Sequence, residues 1–164
     1  MDTLARLEAL EDIRLIQARY WRMMDMKQWD ELRSVFTDDA IVNHPGERGG
    51  KAQGADAVVA YIRERVGDVQ TVHQGFTPEI TFDSDTVASS IWPYEDLLQW
   101  PEGTSLKGVS SLHGWGHYRN RYQLTESGWL ISYLSVSRLR LETNGQPADL
   151  AGHRFSDHPL PHDT

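Results

Sequence analysis

The chain has 164 residues, 39% of them apolar, with six tryptophans and a formal charge of −8, which suits one ordered domain with a sizeable core and excludes a phosphate-binding surface for nucleic acid. It has no cysteine, so disulfides, thiolate catalysis and cysteine-ligated metals are excluded. Residues 1–15 carry Asp2, Arg6, Glu8, Glu11 and Asp12, unlike a signal peptide, and no apolar run approaches the roughly 20 residues of a membrane span; the expectation is a soluble, cytoplasmic protein without a membrane partner.

Asp2 or Thr3 can cap a first helix whose Leu4, Leu7, Leu10, Ile13, Ile16 and Tyr20 recur at helical steps. Met23 and Met24 lie one turn further. Residues 27–36 read as a second short helix with Trp29, Leu32, Val35 and Phe36 inward, ended by a break at 37–39. Residues 40–44 form a short strand, and 46–54, with four glycines, a loop. A third helix follows Gly54, with Val58, Val59, Ile62 and Val66 as its core face.

From Thr71 the period changes to two-residue alternation. The expected strands are 72–76, 79–83, 86–98, 108–124 and 129–142, with turns at 83–85 and 125–128. Three helices followed by a meander give an α+β arrangement, the helices packed on one face of a curved sheet that encloses a pocket. The domain is read as 1–142 and the remainder, 143–164, as a tail or arm. Its His153, His158 and His162 lack metal-site spacing and read as solvated.

Asp25 stands at the junction of the first two helices, and His73 on the first long strand. An ionised carboxylate bonded to one imidazole nitrogen sets the tautomer and stabilises the imidazolium, leaving the other nitrogen as a base. The plainer reading makes Asp25 a helix cap and leaves His73 on a backbone carbonyl. Tyr20 can donate to a substrate oxygen, or be a core tyrosine with its hydroxyl at the rim. In the strand Ile91–Leu98, alternation places Trp92, Tyr94 and Asp96 together. A carboxyl among aromatics holds its proton more tightly and can protonate a leaving group, unless that face meets water. His113 and His117 share a strand face roughly 13 Å apart, too far to chelate one metal. His117 is the one expected to point into the pocket, with Trp115 close by. Arg138 and Arg140 are expected to project the same way, either able to hold an anionic or carbonyl-bearing substrate. No phosphate loop, zinc signature or serine nucleophile elbow is present.

The spacing Tyr20-x4-Asp25-x3-Trp29-x2-Leu32-x3-Phe36-x2-Asp39-Ala40, and later Gly-x-Gly-His117-Tyr-x3-Tyr122 with Gly128-Trp129-x-Ile131, resembles the SnoaL-like family of the nuclear transport factor 2-like superfamily. That resemblance implies a cone-shaped α+β barrel, three helices on a strongly curved antiparallel or mixed sheet. Within it the chain resembles the scytalone dehydratase and bile acid 7α-dehydratase type. By that resemblance Asp25, His73, Tyr20 and Asp96 form a catalytic set, with Arg138 approximately at a further position. Hexachlorocyclohexane dehydrochlorinase resembles the chain in the same Asp and His, with Lys where Tyr20 stands. Scytalone dehydratase has a tyrosine where this chain has Met24, and a second histidine that His117 matches. The implied activity is a cofactor-independent dehydratase, without a metal, acting on a small hydrophobic cyclic molecule held by His117, Arg138, Trp92, Tyr94, Met24 and Trp115. The alternatives are an isomerase or cyclase, a non-catalytic binder of a hydrophobic ligand, and a purely structural association module. Self-association is expected, a trimer before a dimer.

Overall fold

The computed structural model describes residues 1–44, 50–104 and 108–150. Helix α1 (Thr3–Asp25) begins where the Asp2 carboxylate accepts from the Ala5 N–H at 2.9 Å, satisfying one of the donors a helix start leaves bare. Ala9, Ile13, Ile16, Gln17, Tyr20, Trp21 and Met24 form its buried face. Leu4 and Leu7, expected on that stripe, are exposed. A 3.6-residue period carried back from Ile13 reaches Ala9 and Arg6 instead, and the Arg6 guanidinium lies over Phe82.

The second helix is shorter than expected. Lys27 adopts a left-handed φ of 58° that closes α1. Helix α2 (Trp29–Leu32) passes into a 3-10 turn (Arg33–Val35), and Phe36 already opens strand β1 (Phe36–Asn43). The expected break at 37–39 is thus part of β1. Within the expected loop 46–54, β2 (Lys51–Gln53) pairs antiparallel with β1, while 45–49 lie outside the described residues. Helix α3 (Ala55–Val66) follows Gly54, whose φ of 91° a β-carbon would oppose.

The remaining strands are β3 (Gln70–Gly75), β4 (Glu79–Phe82), β5 (Val87–Gln99), β6 (Ser111–Thr125), β7 (Gly128–Thr143) and β8 (Gln146–Pro147). Among the described residues they form one sheet in the order β2-β1-β7-β6-β5-β3, with β4 also on β5 and β8 on β7. β1 and β7 run parallel and the other pairs antiparallel. The sheet is mixed and curled but not closed, so the expected barrel is an open one. The start of the expected tail belongs to the sheet through β8. Residues 105–107 and 151–164, including His153, His158 and His162, lie outside the described residues. No described helix is long and apolar enough to cross a membrane.

The face of the sheet toward α1 carries Trp92, Tyr94 and Asp96 of β5 and Tyr118, Asn120 and Tyr122 of β6, all buried. Deep in this layer Gln17 Oε1 accepts from Asn120 Nδ2 at 2.7 Å and from the Tyr122 hydroxyl at 2.9 Å, and that hydroxyl accepts from Trp92 Nε1 at 3.0 Å. Burial pushes the Tyr122 phenol up to about 12, against the opposing bonds to Ser90, Asn120 and Trp92. The Tyr122→Phe variant leaves the Trp92 indole and Gln17 short of a partner. It is expected to lose about 1–3 kcal/mol in urea denaturation, with the fold retained by circular dichroism.

Candidate active site

The sheet order ends at β3, so one edge of that strand is open to bonds from elsewhere. The last residue of α1 fills it. Asp25 Oδ2 accepts from the His73 backbone N–H at 2.8 Å. Its Oδ1 accepts from the Thr71 hydroxyl at 2.8 Å and lies 2.7 Å from His73 Nδ1. A carboxylate at a helix C-terminus works against the helix dipole, and these three bonds offset that cost. Because a carboxylate only accepts, the Nδ1 of a neutral His73 carries the proton and Nε2 is left as the lone-pair nitrogen. The His73 side chain is only 6% exposed and Asp25 21%, so the ring is directed inward.

Across the β3–β5 pairing, His73 stands opposite Asp96. Nε2 lies 3.9 Å from Asp96 Oδ2, beyond hydrogen-bond length. Asp96 is instead held by a two-pronged grip: Arg138 Nη1 and Nη2 meet its oxygens at 2.5 and 2.8 Å, and the guanidinium lies over the Tyr94 ring. Such a fork suits the carboxylate form. The expected role of Asp96 as a protonated acid is therefore opposed by Arg138, whose burial disfavours its charge but is outweighed by Tyr94 and Asp96. Room for the fork comes from Gly114, where a β-carbon would meet Arg138 Nη1 and Asp96 Oδ1. Tyr20, Tyr94 and Tyr118 close the interior, with edge-on rings at centroid separations of 6.1 Å (Tyr20–Tyr118) and 4.5 Å (Tyr94–Tyr118). Burial pushes the Tyr20 phenol well up; its bond with Tyr118 opposes this, and nearby Asp25 and Asp96 add to it. Tyr118 is raised likewise, first by burial. Both are neutral donors at ordinary pH.

The structure thus brings together Asp25, His73, Tyr20, Asp96, Arg138 and Tyr94. It does not bring His117 or Trp115 to them. In β6 the buried positions alternate as Gly114, Gly116, Tyr118, Asn120 and Tyr122, so His117 and Trp115 face the other side of the sheet. There His117 opposes Pro93 and Ser137, and Trp115 stacks with His113 under Arg140. Burial lowers the His117 imidazole, with Glu79 opposing and Arg119 assisting. Trp92 faces inward but packs against Trp21, and Met24 is buried in the core. Arg138 and Arg140 do not share a face. Gly116 pairs with Arg138 and Trp115 with Arg140, leaving Leu139 as an extra residue that is 67% exposed, and this bulge turns Arg140 outward. Three participants escaped the sequence reading. Thr71 and Lys27 join through side-chain bonds that no spacing announces. Tyr118 had a signal that could have found it, because Gly114 and Gly116 mark the face where other groups approach closely.

A groove of about 330 Å³ lies at the ends of β3, β5 and β6, lined by Val72, Leu97, His113 and Glu142 among others. None of the residues gathered around His73 lines it. Among the described residues no group of three or more His, Asp or Glu side chains is arranged to hold a metal ion.

Residues 5–135 match the family described as SnoaL-like domain, and the chain belongs to it. Solved structures share its fold. One is a type 2 hexachlorocyclohexane dehydrochlorinase, with a TM-score of 0.76 and 21% identity over 87% of this chain and 93% of that chain. A candidate scytalone dehydratase from Novosphingobium aromaticivorans has a TM-score of 0.75 and 18% identity over 86% and 91%. A nuclear transport factor 2-like protein with a cystatin-like fold, also from Novosphingobium aromaticivorans, has a TM-score of 0.63 and 21% identity over 80% and 82%. At these identities the likeness is one of fold.

Removing Arg138 strands the Asp96 carboxylate, which is 3% exposed. Arg138→Met is expected to cost about 3–5 kcal/mol of stability. The double variant Arg138→Met/Asp96→Asn should recover part of that loss in the same thermal-unfolding assay.

Proposed function

We propose that the protein is a cofactor-independent lyase that eliminates water, or halide, from a hydrophobic cyclic substrate of aromatic, polyketide or steroid-like type. The observation that carries this reading is the orientation of His73. Asp25 holds its Nδ1 at 2.7 Å, while Nε2 makes no hydrogen bond among the described residues and lies 3.9 Å from Asp96 Oδ2. His73 Nε2 takes the proton from a substrate carbon, and Asp25 stabilises the imidazolium that forms. Tyr20, beside Tyr118, supplies neutral phenol hydroxyls able to donate to a leaving oxygen or to a carbonyl in the transition state. Asp96 anchors Arg138 and gives the imidazolium a second carboxylate to face. Arg138 in turn presents a fixed cation to developing negative charge. The names dehydrochlorinase and dehydratase, carried by two proteins of the same fold, are consistent with an elimination.

The test is turnover of a panel of hydroxylated and halogenated cyclic compounds, read by mass spectrometry for loss of one water or one hydrogen halide. His73→Ala is expected to slow the active substrate by about 10²–10⁴-fold, with the fold unchanged by circular dichroism. Undiminished turnover in that variant overturns the dyad. Product of unchanged mass assigns an isomerase or cyclase instead, and saturable binding without product assigns a ligand carrier.

Self-association accompanies this reading. Val72, Leu97 and Leu139 are large apolar side chains exposed on the strands, and a trimer, before a dimer, is expected by light scattering after size exclusion. A monomer at all accessible concentrations would refute it.

A further inference from the structure

Lys27 stands where a helix ordinarily places glycine. Its N–H bonds the Met24 carbonyl at 3.2 Å and the Gln28 N–H bonds the Met23 carbonyl at 2.8 Å, the paired closure in which the residue between must be left-handed. With φ at 58°, lysine holds that conformation against the crowding of its own β-carbon. A residue kept in a disfavoured conformation points to a task for its side chain.

The side chain has one. Lys27 Nζ donates to Thr71 Oγ1 at 3.0 Å, and the Thr71 hydroxyl, in a residue 5% exposed, donates to Asp25 Oδ1 at 2.8 Å. A hydroxyl has one proton to give, so the chain of bonds has a single direction, from ammonium through hydroxyl to carboxylate. It ends on the same oxygen that holds His73 Nδ1. Burial lowers the Lys27 ammonium from its ordinary range, and Asp25 opposes that drop.

The charges facing His73 pair off. From α1 comes Asp25, and from β5 comes Asp96, which β7 neutralises with Arg138. Tyr20, Tyr94 and Tyr118 contribute phenols. Lys27 is the cation that matches Asp25. Building on the proposed dyad, we infer that Lys27 is a positioning residue: acting through Thr71, it fixes the Asp25 carboxylate against His73 and offsets its charge, so that the imidazole is less firmly held in its protonated form. An uncompensated carboxylate would hold the proton on His73 more strongly.

The experiment follows the His73 ring signals by NMR across pH in the wild type, Lys27→Met, Lys27→Gly, Lys27→Arg and Asp25→Asn. Lys27→Met is expected to raise the His73 titration midpoint by about half a pH unit or more, and Lys27→Arg to restore it toward wild type. Lys27→Gly should raise the midpoint likewise while the thermal midpoint holds or rises, because glycine relieves the left-handed position. A purely structural lysine would leave the titration in place. Unmoved midpoints in Lys27→Met and Lys27→Gly, with a lowered one in Asp25→Asn, overturn this inference and leave the dyad standing. No movement in Asp25→Asn either would remove the dyad and the inference together.

Discussion

One carboxylate joins the two layers of this fold. Asp25 ends the long helix and bonds the backbone and ring of His73 together with the Thr71 hydroxyl, so it stitches α1 to the open edge of the terminal strand. An edge strand otherwise exposes bare N–H groups to water or to another chain. Here the same bonds that quiet the edge set the tautomer of the histidine. Scaffold and candidate site share atoms, and the helix cannot slide along the sheet without losing the orientation of the ring.

The second constraint is the treatment of charge inside an aromatic layer. A buried carboxylate is tolerable only with a partner. Asp96 has its partner in Arg138, seated over a strand that offers glycine in place of a side chain at position 114. The tyrosines around it are held neutral by burial. The interior therefore contains fixed donors and the compensated Asp96–Arg138 ion pair, an environment organised by the fold itself.

Much of the fold was legible because its periods are clean. Alternation from Thr71 marked the meander, and the helical step from Ile13 to Tyr20 marked the buried face of α1. Asp25 and His73 were legible as a pair of residue types at a helix junction and on a strand, and alternation placed Asp96 with Tyr94. Two kinds of error have physical causes. Parity in β6 was read from its histidines, whereas the glycines beside them carry the information about crowding. The Leu139 bulge inserts a residue that no period announces, so Arg140 was assigned the face of Arg138. The parallel pairing of β1 with β7 joins stretches whose separation in sequence hides their contact, and the bond from Lys27 to Thr71 depends on a backbone conformation unusual for lysine.

That parallel pairing bears on how the chain reaches this state. β7 lies inside the sheet, between β1 and β6, yet it is among the last strands to be made. Phe36 finds Ile131 and Val42 finds Leu134 across it. Until β7 exists, β1 lacks its principal neighbour, and the inward face of α1, with Ile13, Ile16, Tyr20, Trp21 and Met24, faces an unfinished sheet. Contacts so distant along the chain close slowly, since a long loop must be ordered before they form. The β6–β7 hairpin, whose strands are separated only by residues 126–127, is the local unit expected to assemble first. The amino-terminal half that carries Asp25 is then expected to dock onto it late, which leaves the apolar face of the amphipathic helix α1 open to misassociation in the nascent chain.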